Sequence, residues 1–272
     1  MMAPNRTGNV TRIDTVQVGF IGFGNMGRAM AEGLIRTEAI SAGRLYACAS
    51  DYQRLAERAE SVGIRPRKDV ASLVNSVDMI VVAVKPHVVE QVLVPVAKQL
   101  VGKPIISIAA GWSCADLERI LPGTNHLSSM PNMPVAVNEG VIICEGEHTL
   151  TERQDKLARS VLSLLGSVED VDSSLLAAAG TVSGCSPAFV AMMIEALGDA
   201  AVKHGVPREM AYRITSQTFA GTARLQLESG RHPAIMKDAV CSPGGSTIKG
   251  VSALEAAGIR SALIRAIDAI EA

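Results

Sequence analysis

Aromatic residues are scarce in this 272-residue chain: 3% of the total, with a single tryptophan. So few rings leave no stacking platform for nucleic-acid bases and favour close packing of small side chains. Charge of one sign is also missing. With 26 basic and 27 acidic residues the net charge is -1, which removes the electrostatic case for nucleic acid or an anionic membrane surface. A phosphate-bearing ligand must therefore be held locally. No run of eighteen apolar residues occurs, so a soluble protein with no membrane partner is expected. Residues 1–14 are polar and hold no apolar core of signal-peptide length, which points to the cytoplasm. Cys48, Cys114, Cys144, Cys185 and Cys241 stand far apart, without a C-x-x-C pair or a histidine at metal-ligand spacing. No metal site is expected, and all but Cys185 read as small buried residues of a reducing compartment.

What is present is organised around one stretch. Val16 to Ile21 is an apolar run of strand type, broken by Gly22-Phe23-Gly24-Asn25-Met26-Gly27 and followed by helix formers from Arg28 to Ile35. Strand, tight turn, helix is the order a dinucleotide needs. Gly22 permits the turn, Gly24 lets backbone approach a pyrophosphate, and Gly27 lets helix and strand pack closely. The N–H groups opening that helix then face the phosphates. Leu45 to Ala49 predicts the second strand, whose end meets the adenosine ribose in this architecture. Both cofactor readings are open there: Ser50 with Arg54 suits a 2′-phosphate, and Asp51 suits a free 2′-hydroxyl. Capping of the next helix by Ser50, with Asp51 as a first-turn acid, is the plainer alternative.

Met79 to Val84 reads as a buried parallel strand ending at Lys85-Pro86-His87, which puts Ala83, Val84, Lys85 and Pro86 at the cofactor crevice and His87 at a helix start. Ile105 to Ala109 repeats the pattern, with Ser113 and Asp116 as a capping box. His126 to Met130 is a strand broken at Pro131-Asn132-Met133-Pro134, where an extended turn places Asn132 at the nicotinamide end. Val141 to Cys144, a helix over 151–165 and Val168 to Val171 complete an alternation that predicts a doubly wound α/β sheet over 1–171. Over 172–272 the pattern turns wholly helical. Stripes are separated at Gly184-Cys185-Ser186-Pro187, Gly205-Val206-Pro207, Gly230-Arg231-His232-Pro233 and Cys241-Ser242-Pro243-Gly244-Gly245. Their apolar residues lie on more than one face, which predicts a homodimer built on this domain. Ser242, Gly244, Gly245, Ser246 and Thr247 gather hydroxyls and bare amides at a helix start, the makings of a carboxylate site; an ordinary capped turn would use only one of the hydroxyls.

Nearly end to end, the chain resembles the pyrroline-5-carboxylate reductases. The resemblance is carried by the glycine turn, Ala83-Val84-Lys85-Pro86, Met130-Pro131-Asn132, Pro187-Ala188-Phe189, Glu195-Ala196-Leu197, Ser242-Pro243-Gly244-Gly245, Thr247, Leu254-Glu255 and Gly258-Ile259-Arg260. It implies an N-terminal Rossmann domain, a helical dimerisation domain and an NAD(P)H-dependent reduction of the cyclic imine 1-pyrroline-5-carboxylate to L-proline. It also implies that the 242–247 loop holds the substrate carboxylate, with Thr247 beside the ring nitrogen. A protonated imine is already an electrophile, so alignment of donor and acceptor suffices. NADPH is favoured through Ser50 and Arg54, NADH remains open, and dimers could assemble further into a ring. Two departures stand out. The family usually reads Gly-Ser-Gly-Pro-Ala where this chain has Gly184-Cys185-Ser186-Pro187-Ala188, and it tends to place arginine where this chain has Ser128. A reductase of a related cyclic imine and a catalytically impaired cofactor-binding regulator are the competing readings. A hydroxyacid dehydrogenase is disfavoured because Lys203, near a helix end, is ill-placed for that group's catalytic lysine.

Overall fold

A computed structural model describes residues 13–272; residues 1–12, part of the polar segment read above, lie outside the described residues. The first part of the chain alternates strands and helices: β1 (Val18–Ile21), α1 (Asn25–Arg36), β2 (Leu45–Cys48), α2 (Tyr52–Val62), β3 (Arg65–Pro66), α3 (Val70–Val74) and β4 (Met79–Val82). It continues with α4 (Val89–Leu93), α5 (Ala97–Leu100), β5 (Pro104–Ser107), α6 (Cys114–Ile120), β6 (Asn125–Pro131), β7 (Gly140–Glu145), α7 (Glu152–Leu162) and β8 (Gly166–Val171). Every residue of β1, β2, β4 and β5 is buried, as a parallel strand covered on both faces requires.

Alternate residues feed two separate cores. Val18, Phe20, Leu45, Ala47, Met79 and Val81 pack on one face of the sheet, while Ile21, Tyr46, Cys48, Ile80 and Val82 pack on the other. The strand order is β3-β2-β1-β4-β5-β6-β7-β8. Pairing is parallel throughout except between β6 and β7, where Met130 faces Ile143 in antiparallel register. The connection from β6 to β7 is too short for a parallel crossover, so the chain turns back on itself. It does so through a 3-10 turn, Met133–Val137, where the sequence predicts an extended turn over 131–134. Asn132 is extended, at φ -115° and ψ 167°, and the turn begins one residue later with Pro134 in its first positions.

The remainder is helical: α8 (Leu176–Lys203), α9 (Arg208–Ser229), α10 (Pro233–Ala239), α11 (Ser246–Ala256) and α12 (Ile259–Glu271). The expected break at 184–187 does not occur. α8 runs through Pro187, so Ser186 sits in a helix interior and not at a helix entrance. Proline at 187 removes the N–H that would bond the Ser183 carbonyl. That carbonyl instead accepts the Asn132 side-chain Nδ2–H at 3.0 Å, which replaces the missing helical bond. The other punctuation holds. Gly205 and Gly230 have positive φ just past helix ends, and Pro233 opens α10 behind the capping His232.

Compact units divide at Gly184 and Cys185, inside α8 and later than the change of periodicity at 172. The first turns of α8 belong with the sheet because Gly180 lies against Met130 and Ser183 is held by Asn132. In the second unit the helices expose large apolar side chains, among them Met192, Leu227 at 80% and Ile235. The stretch Ser173–Lys203 is, among the described residues, long and apolar enough by composition to cross a membrane, with only 11% of its most apolar window buried.

Candidate functional site

The glycine turn has the geometry its sequence requires. Gly22 sits at φ +92°, and a Cβ there would come within 2.6 Å of the Ala83 carbonyl oxygen. Its N–H donates to the Cys48 carbonyl at 2.9 Å, tying the turn to the end of β2. A Cβ on Gly27 would approach the Gly22 carbonyl to 2.9 Å, so α1 and the turn are in direct contact. Gly24 differs from both. It is the N-cap of α1, with no side-chain cap, and nothing lies within 4 Å of where its Cβ would be. The first intrahelical bond is Arg28 N–H to the Gly24 carbonyl, at 3.1 Å. The N–H groups of Asn25, Met26 and Gly27 therefore have no helical acceptor.

The end of β2 resolves the capping question in favour of Asp51. Its Oδ1 accepts the Arg54 N–H at 3.0 Å, so Asp51 caps α2 and the expectation that Ser50 does so is corrected. Ser50 is left exposed beside it. Aspartate wins because its acceptor reaches the N3 amide from the last extended position. α2 also contributes a residue the sequence reading missed. Arg58 Nη1 donates to the Phe23 carbonyl at 3.1 Å, bracing the glycine turn from the side. Its only sequence signal is a second cation one helical turn after Arg54.

After β4, Ala83 N–H donates to the Ile21 carbonyl at 2.8 Å, which lays Ala83 and Val84 against the glycine turn. Lys85 is exposed and Pro86–Val88 forms a 3-10 turn that includes His87. Asn132 is 6% exposed, and both ends of its amide are engaged: Oδ1 accepts Val141 N–H at 2.9 Å, and Nδ2 donates to Ser183. The segments 22–27, 50, 83–86 and 132 thus come together at the carboxyl ends of β1, β2, β4 and β6, the edge where doubly wound sheets bind ligands.

Cys48, Cys114 and Cys144 are buried in this unit, and desolvation pushes each thiol up to about 12. They stay protonated at neutral pH, in keeping with an apolar packing role.

In the second unit the 242–247 loop assembles by itself. Gly244 has φ +68°, Gly245 caps α11, and Gly245 N–H donates to the Ser242 carbonyl at 3.0 Å. A Cβ on Gly245 would strike the Ser242 hydroxyl, which explains the second glycine. Ser242, Ser246 and Thr247 are exposed at the start of α11, where the first N–H groups lack helical acceptors. Amides and hydroxyls in this arrangement suit a small carboxylate.

A family model described as pyrroline-5-carboxylate reductase dimerisation matches residues 173–272, and one described as NADP oxidoreductase, coenzyme F420-dependent, matches residues 17–111. Pyrroline-5-carboxylate reductase of Treponema pallidum (strain Nichols) is 46% identical over 259 residues, covering 93% of this chain and 98% of the relative. The Escherichia coli (strain K12) enzyme of the same name is 35% identical, covering 92% and 94%. The crystal structure of Plasmodium falciparum pyrroline carboxylate reductase with NADP bound superposes with a TM-score of 0.84 at 28% identity, over 94% of this chain and 95% of that one.

Proposed function

Because this chain belongs to the pyrroline-5-carboxylate reductase family, we propose that it reduces 1-pyrroline-5-carboxylate to L-proline at the expense of NADPH. A bound nicotinamide supplies the hydride for the imine carbon. The chain's own residues do the rest. The N–H groups of Asn25, Met26 and Gly27 receive the pyrophosphate, Gly22 and Phe23 shape the turn beneath it, and Gly24 leaves the room it needs. Residues 83–86 flank the dinucleotide, and Asn132, its side chain engaged elsewhere, offers backbone at the nicotinamide end.

The 242–247 loop grips the substrate carboxylate through the amides that begin α11 and the hydroxyls of Ser242 and Ser246. Gly244 and Gly245 let that backbone turn inward. The Thr247 hydroxyl orients the ring nitrogen, which keeps its proton as the carbon gains hydride, so an iminium becomes a secondary amine. The observation that carries this reading is the combination at α11: amides without helical acceptors beside three exposed hydroxyls, none of which caps the helix. Thr247→Ala should lower kcat about a hundredfold, as misalignment at a reacting centre does, with the Kd for NADPH within twofold. Unchanged turnover removes Thr247 from the reaction.

NADPH is preferred over NADH in this reading because one oxygen of the nearby acid is engaged in capping α2, leaving Ser50 and the Arg54 cation for a 2′-phosphate. Ser50→Glu should raise the KM for NADPH at least about tenfold through like-charge repulsion and spare NADH. An unaltered cofactor ratio in steady-state assays would refute this assignment. A cytoplasmic location goes with the five free thiols. Self-association is through the helical unit, with a dimer as the proposed assembly.

A further inference from the structure

The chain's one tryptophan ties together two of the loops that leave the carboxyl edge of the sheet, and strand β6 holds it in turn. Trp112 Nε1–H donates to the Pro86 carbonyl at 3.0 Å, reaching from the loop after β5 to the loop after β4. The Ser128 hydroxyl, on β6, donates to the carbonyl of Trp112 itself at 2.5 Å. The turn that carries the indole is fixed independently. Trp112 N–H closes onto the Ala109 carbonyl at 3.2 Å, Ser113 and Asp116 form a capping box, and the Glu145 carboxylate, 2% exposed, accepts the Cys114 N–H at 2.7 Å. A rigidly held donor therefore meets the exposed end of the segment, Lys85-Pro86. Ala83 and Val84 pack on the two cores and Ala83 N–H bonds Ile21, whereas Lys85 and Pro86 are exposed, and among the described residues the indole N–H is the hydrogen-bond partner that the Pro86 carbonyl takes from outside its own loop. The other side of the segment bears on Gly22.

We propose that Trp112, gripped by Ser128, is a positioning residue for the dinucleotide: it holds 83–86 against the glycine turn and sets cofactor affinity. This rests on the reading of 83–86 as a cofactor segment. It also gives Ser128 a part of its own, where the resembled family tends to have arginine.

Trp112→Phe keeps a ring in place and deletes the donor; Ser128→Ala releases the grip. In the intact protein, calorimetry should find the Kd for NADPH raised about three- to tenfold in Trp112→Phe, the worth of one hydrogen bond, and by a smaller factor in Ser128→Ala. kcat at saturating NADPH and KM for the imine should stay within twofold. In the wild type, indole emission should be quenched by NADPH with a half-point equal to the calorimetric Kd. An unchanged Kd in Trp112→Phe overturns the proposal. So does a parallel loss of kcat, imine affinity and melting temperature, the mark of a merely structural residue. Gly24→Ala separates the two levels. If it binds NADPH normally, the reading of the site fails; if it weakens binding while Trp112→Phe does not, only the bracing role fails.

Discussion

At the scale of single residues, the three glycines of the turn look equivalent in sequence and differ in what they hold open. Gly22 is required by its backbone and by the Ala83 carbonyl; Gly24 has ordinary φ and open space. Gly22→Ala should therefore cost about 1–2 kcal/mol from the backbone alone, and more through the Ala83 contact. Gly24→Ala should cost no more than about 1 kcal/mol, from the poorer N-cap, while weakening NADPH roughly tenfold, because the added methyl enters the space meant for ligand. Denaturant midpoints beside calorimetric Kd values check both. If Gly24→Ala binds NADPH as well as the parent, the clear space above it has no bearing on the cofactor. The same scale shows the limit of spacing arguments. Ser50 and Asp51 are both good caps, and only the reach of Asp51 Oδ1 to the Arg54 amide decides between them.

At the scale of elements, α8 is where pattern reading failed. Glycine, cysteine, serine and proline in succession announce a break, and the helix passes straight through. The reason lies in a residue far back in the chain. Asn132 supplies the donor that Pro187 cannot, and with its other end holds the first residues of β7. Asn132→Ala leaves the Ser183 carbonyl and the Val141 N–H without these partners, at about 1–3 kcal/mol for each group. Urea unfolding should show a loss of about 2–5 kcal/mol; a loss under 1 kcal/mol would mean that water replaces both bonds. The strands, by contrast, were legible. Apolar runs ending before Gly22, Ser50-Asp51, Lys85-Pro86 and Gly111 mark β1, β2, β4 and β5 to within about two residues, and only the two-residue β3 is too short to leave a signature.

At the scale of the whole molecule, helices α8 to α12 carry more apolar surface than their own unit covers, with Leu225, Leu227 and Ile264 all exposed. The apolar stretch Ser173–Lys203 falls within residues 173–272, matched by the reductase dimerisation model, which supports self-association as its cover. Light scattering at micromolar concentration should give at least twice the 28.5 kDa chain mass, and a clean monomer would contradict the assembly proposed here. The sequence by itself determined the strands other than β3, the glycine turn and the amide-rich loop before α11, because these depend on backbone preferences of adjacent residues. Tertiary structure alone decided that α8 continues through Pro187, that β7 runs against β6, and that Trp112 reaches Pro86. The first and last turn on which distant group meets a donor or acceptor, and β7 turns back because its connection to β6 is too short for a crossover; packing of distant segments, and not a local pattern, makes the first and last choice.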